Sequence, residues 1–198
     1  MLTTIKTWQE RYFHFWDQLN ILRAGILGAN DGIISVSGIV LGAVGADLSN
    51  TTLFISGISG MLAGACSMAG GEYVSVSAQK EVQLAKLNAQ VSLDSQETSS
   101  SPMRLQQQDL LNPIHAAVMS FGAFILGAVI PLLAISLSTP AWRLINTMLA
   151  MVVALSLNAT VSSRHSEIAL HKVIFRNVLV GVMTALVTYL VGTLLGGN

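Results

Sequence analysis

Five apolar stretches, at residues 24–46, 53–78, 114–137, 141–163 and 173–195, divide the chain. Each is long enough to cross the hydrocarbon core of a bilayer as an α-helix, which takes about 20 residues. The pattern predicts an all-α integral membrane protein with five transmembrane helices. The first stretch does not read as a cleavable signal peptide, because it follows 23 polar and aromatic residues and holds an aspartate. Residues 7–22, TWQERYFHFWDQLNIL, carry Trp8, Tyr12, Phe13, Phe15, Trp16 and Leu19. They read as an amphipathic helix at the membrane interface, where aromatic rings settle. Residues 1–23 thus form an interfacial segment, 24–80 the first two spans, 81–112 a short cytoplasmic linker and 113–198 the last three spans. Within the linker, residues 81–90 extend the second helix and SLDSQETSSSP at 92–102 reads as flexible.

Charge gives the spans a direction. Lys6, Arg11 and Arg23 precede the first span, Lys80, Lys86 and Arg104 follow the second, and Arg164, Lys172 and Arg176 follow the fourth. Nine of the ten Lys and Arg therefore lie on one side, with Arg143 alone on the other. The positive side of short loops is the cytoplasmic one, so the N-terminus is cytoplasmic.

Composition narrows the function classes. Only 10% of the 198 residues are charged, 52% are hydrophobic, and the mean hydropathy is +0.63. So few charges do not cover the surface of a soluble enzyme. Ten Lys and Arg balance ten Asp and Glu, which leaves no basic footprint for nucleic acid. Cys66 is the single cysteine, so no disulfide framework or CxxC site exists.

Two acids lie inside apolar spans: Asp31 in ILGANDGIISVSG and Glu72 in CSMAGGEYVSVS. An ionised group at the bilayer centre costs at least ~2.5–3.5 kcal/mol, so such residues face a protein interior or a wet cavity and mark function. Asp31 follows Arg23 by eight residues and Glu72 precedes Lys80 by eight, which predicts a similar depth and one shared cation site. Met61, Met68, Glu72, Ser75 and Gln79 recur on one helical face. A thioether beside a carboxylate suits a borderline ion such as Fe²⁺ better than Mg²⁺ or Ca²⁺. Gly28 and Gly32, Gly38 and Gly42, and Gly60 and Gly64 stand four apart, the spacing that lets helices approach closely. Gly70 and Gly71 leave room for bending beside Glu72. Pro131 predicts a bend in the third span. Asn146 and Asn158 read as interhelical hydrogen-bond partners. His14, His115, His165 and His171 read as interfacial or solvated.

At these residues the sequence resembles a known family. LRAGILGANDGIISVSGIVLGAVGA and GISGMLAGACSMAGGEYVSVSAQKE are similar to the vacuolar iron transporter family, and the likeness covers essentially the whole chain. The resemblance implies export of divalent iron, often manganese as well, from the cytoplasm in exchange for protons. It implies a homodimer whose pathway lies at the subunit interface, lined by the first two helices. Asp31 and Met68 match the family's pathway residues, Glu72 falls in the GEY variant of its motif, and Glu81 matches an acid at the entrance. Asp31 and Met68 of both subunits then form the mid-pathway site, with Glu72 as a further ligand or proton carrier. The chain departs from iron-storing members in residues 81–112, which are poor in acids where those members carry a long Glu-rich domain. That metal-collecting domain is expected to be absent. Fe²⁺ or Mn²⁺ enters as substrate and no resident cofactor is expected. The compact loops favour a bacterial plasma membrane.

Three other classes compete. A membrane enzyme acting on lipid phosphates needs an interfacial cluster of acids, His or Arg, which is missing here. A non-transporting membrane scaffold has no use for two acids within its spans. A channel of the same fold differs from an exchanger only in proton coupling.

Overall fold

The computed structural model describes residues 2–94, 111–163 and 169–196, with side chains described from residue 19 onward except at 87 and 90–94. Five α-helices follow in order: α1 (Leu2–Gly45), α2 (Asn50–Asp94), α3 (Pro113–Ser136), α4 (Arg143–Ser163) and α5 (Leu170–Gly196). A 3₁₀ turn, Pro140–Trp142, precedes α4. All five helices contain a segment long and apolar enough to cross a membrane. The chain is a multi-pass membrane protein.

α1 and α2 run well past the apolar stretches that predicted them. α1 already begins at Leu2, and α2 continues to Asp94. AQKEVQLAKLNAQ after the second span is rich in strong helix formers and free of Gly and Pro, so the backbone stays helical where the hydropathy stops. Residues 92–94, expected in the flexible linker, are therefore helical. The rest of that linker, at 95–102, lies outside the described residues. The segment 7–22 is one piece with the first span, not a separate helix.

The helix ends follow local chemistry. α1 closes on a Schellman motif: Leu48 N–H donates to Ala43 O and Asp47 N–H to Val44 O, each at 3.1 Å. Asp47 takes the left-handed conformation this requires, with φ of 53°. Ser49 Oγ then accepts from Thr52 N–H at the start of α2. Asn112 caps α3 by accepting from Ile114 and His115 N–H, with Pro113 at the first helical position. Pro131 is buried inside an α3 that carries on beyond it.

α1 is the hub and touches all four other helices. On one side Val36 and Val40 pack with Leu53 and Ala65 of α2 and Phe124, Ala128 and Leu132 of α3. On the other side Ile33, Ile34 and Leu41 pack with Met151, Ala154 and Leu155 of α4 and Ala185 of α5. α1 crosses α3 backbone to backbone, because a Cβ on Gly32 would run into the Phe124 carbonyl and one on Gly127 into the Ala29 carbonyl. Asn158 makes the interhelical bond expected of it, donating to Ile26 O of α1 at 3.2 Å. Asn146 instead ties α4 to the preceding loop through Ser138 Oγ at 2.8 Å.

α2 is held differently. Among the described residues it packs on α1 and α3, Asn50 at its start also accepts from Arg143 Nη2 of α4 at 2.6 Å, and 17% of its apolar window is buried against 50% for α1. Its outward face carries Ala63, Cys66, Ser67, Gly70 and Gly71, all exposed. A Cβ added at Gly70 or Gly71 would meet nothing within 4 Å. The helix runs unbroken through both glycines.

Candidate functional site: a groove between α1 and α2

A groove of about 580 Å³ opens along the seam between α1 and α2. Leu27, Asp31, Ser35 and Ile39 line it from α1, one residue every four, so they form one stripe. Gly64, Ser67, Met68 and Glu72 line it from α2, and Phe124 of α3 closes its back. Phe124 is 1% exposed, and its ring fills the place a side chain on Gly64 would need.

The register of the two antiparallel helices sets the order of groups along the groove. Ala24 and Val76 share a buried cluster. Further along, the Ile39 side chain lies against Gly60. Counting inward sets Asp31 level with Ala69 from the first pair and with Met68 from the second. Glu72 lies one turn, about 6 Å, nearer the Arg23 end. The expectation of equal depth for the two acids is thus corrected by one turn. It counted Lys80 as level with Arg23, whereas residue 76 holds that position and α2 carries Lys80 outward.

The two acids differ in how they are compensated. Glu72 is 7% exposed and its Oε1 accepts from Arg23 Nη2 at 2.5 Å. Asp31 is half-buried and its Oδ1 accepts from Ser35 Oγ at 2.8 Å. Among the described residues no cation pairs with Asp31. A carboxylate in an apolar groove with only a hydroxyl for company is the group most in need of a positive ligand.

Of the four residues singled out from the sequence, Asp31, Met68 and Glu72 line this one groove, and Glu81 does not. Glu81 is exposed on the extension of α2, nine residues past Glu72. Met61, on the same predicted face, packs against the α1–α2–α3 core as Met68 does, but does not line the groove. Ser75 accepts a 3.4 Å bond from Gln79 and is exposed outside the groove. Among the described residues no three His, Cys, Asp or Glu gather as a metal cluster within the single chain. Three contributors went unread. Ser35 was detectable as a hydroxyl one turn after Asp31. Arg23 served only as a topology marker, since nothing local links it to a residue 49 positions away. Phe124 gives no signal at all among the apolar residues of its span.

The profile of the VIT family matches this chain at residues 22–99 and 90–193. Vacuolar iron transporter homolog 5 of Oryza sativa subsp. japonica is 44% identical over 115 residues, 58% of this chain and 51% of that protein. Vacuolar iron transporter homolog 2 of Arabidopsis thaliana is 38% identical over 135 residues, 68% of this chain and 63% of that protein. VIT-like transporter 1a of Glycine max is 32% identical over 130 residues, 66% of this chain and 63% of that protein. The chain thus spans between about half and just under two thirds of the length of these relatives. The profile match, in contrast, takes in all five spans and every residue lining the groove: the chain belongs to the VIT family.

Proposed function

We propose that this protein transports a divalent transition-metal ion, Fe²⁺ or Mn²⁺, out of the cytoplasm through the α1–α2 groove in exchange for protons. The observation that carries the reading is Asp31, a carboxylate in an apolar groove with no cation partner among the described residues and across from the thioether of Met68. Oxygen and sulfur together favour borderline ions over Mg²⁺ and Ca²⁺. The names of the relatives, vacuolar iron transporter homologs, agree with such a cargo.

One Asp and one Met are too few ligands for an ion stripped of water. The exposed small residues of α2, Ala63, Ser67 and Gly71 in the groove lining and Gly70 next to it, supply a face for close helix packing. A second copy of the chain seated there brings a second Asp31 and Met68 to the ion, so the working unit is a homodimer. Glu72 is a further ligand, and Glu81, exposed farther along α2, draws cations to the entrance. The excess of Lys and Arg on the Arg23 side supports a cytoplasmic location for that end. A carboxylate that gives up a proton when a cation binds, and regains one from the far side, couples metal exit to proton entry. The membrane we favour is a bacterial plasma membrane.

The test is flux into proteoliposomes holding the purified chain, with Fe²⁺, Mn²⁺, Co²⁺ and Zn²⁺ compared and internal pH followed. Saturable Fe²⁺ or Mn²⁺ flux with opposite proton movement, lost in Asp31→Asn, is expected. Metal flux without proton movement would make the protein a channel. Unchanged coupled flux in folded Asp31→Asn would remove Asp31 from the pathway.

A further inference from the structure

We infer that Arg23 is a tethered counter-cation: between loadings its guanidinium holds the cation position at Glu72, and it must withdraw when a metal ion takes that carboxylate. This rests on the transport reading and adds to it a group that sets the affinity for the ion.

The ion pair is asymmetric. Glu72 is 7% exposed and Arg23 51%. Opening the pair therefore leaves a buried carboxylate without compensation, while the guanidinium returns to solvent with little loss. Whatever replaces Arg23 at Glu72 has to be positive. A divalent ion meets that requirement with twice the charge.

Arg23 also has a place to go. Its Nε and Nη2 donate to Asn20 Oδ1, one turn back on α1, at 3.3 and 3.2 Å. The Nε bond does not involve the nitrogen that holds Glu72, so it keeps the side chain attached to α1 when Nη2 swings away from the carboxylate. The register leaves Arg23 about one turn further out than Glu72, and Glu72 one turn further out than Asp31. An ion moving between the Arg23 end and Asp31 passes Glu72, so the guanidinium stands at the outer step of the path.

Competition of this kind weakens apparent binding by the fraction of time Glu72 is free. With Glu72 free about one tenth of the time, removing the guanidinium tightens metal binding roughly tenfold. The same change slows turnover, because nothing helps to expel the ion from Glu72. A merely structural Arg23 would instead lower yield or rate without lowering KM.

The experiment uses Mn²⁺ as probe and the full chain, both as equilibrium binding to protein in detergent and as uptake into proteoliposomes. Arg23→Gln is expected to lower the dissociation constant and KM for Mn²⁺ about tenfold and to lower kcat. Arg23→Lys, which keeps a charge but loses the fork geometry, is expected between wild type and Arg23→Gln. In a Glu72→Gln background, Arg23→Gln is expected to change neither constant. If Arg23→Gln fails to fold, the Arg23→Lys shift and its disappearance in Glu72→Gln carry the test alone. Unchanged or weaker Mn²⁺ binding on altering Arg23, or the same shift with Glu72→Gln, would overturn the inference. Wild-type protein that binds Mn²⁺ but moves no metal would refute the transport reading and leave the binding result to decide the role of Arg23.

Discussion

Replacing Asp31 by Asn should stabilise the protein while abolishing its response to metal. An ionised carboxylate at the bilayer centre costs ~2.5–3.5 kcal/mol on insertion scales. Asp31 is half-buried in an open groove, and among the described residues its partner is a hydroxyl at 2.8 Å. Water in the groove offsets part of the cost, which leaves about 1–2 kcal/mol to be recovered when the charge is removed. The amide oxygen of Asn keeps the acceptor for Ser35, so the local bond survives. For a chain of this size the gain corresponds to roughly 2–8 °C in Tm. The assay is thermal or chemical unfolding in a defined detergent, with and without Mn²⁺. Wild type should gain about 2.7 kcal/mol at one hundred times its dissociation constant, from ligand linkage alone. Asp31→Asn should start higher and gain nothing. A variant less stable than wild type without metal would show that Asp31 is already compensated in the empty protein, and the reasoning from its missing partner would fall.

Phe124→Ala removes the ring that backs the groove and fills the space beside Gly64, and should cost about 3–5 kcal/mol in unfolding experiments. A Cβ at Gly70 meets nothing within 4 Å in the single chain, so Gly70→Leu should leave helicity and monomer stability intact while light scattering reports loss of the proposed dimer. Asp47→Gly relieves a left-handed residue and should raise stability by about 1 kcal/mol, read as Tm, without changing flux.

The spans were legible because a membrane helix must be apolar over a fixed length, and the five windows follow from that alone. The ends of α1 and α2 were not, because hydropathy stops at the membrane boundary while helix propensity does not. Lys80 shows the consequence: taken as a boundary marker, it misplaced Glu72 by one turn relative to Asp31. Asp31, Met68 and Glu72 were legible as polar or soft groups at a depth where such groups are costly. Their meeting in one groove depends on the register of two helices, which no local pattern encodes. Arg23 illustrates the limit most plainly. Its charge was visible, but its partner is 49 residues away and is chosen by packing.

The length of α2 has a mechanical consequence. The helix is last held at Val76, buried with Ala24, Leu111 and Ala116, and it runs without a break to Asp94. Eighteen residues of continuous helix beyond Val76 make an arm of about 27 Å. A tilt of about 5° at the pinned end sweeps the tip through roughly 2 Å over that length. The relation also works in reverse: a load on the tip is geared down to a small, forceful change in the width of the seam. A ligand, a lipid headgroup or another protein gripping residues 81–94 would therefore act on the groove as a hand acts on a crowbar.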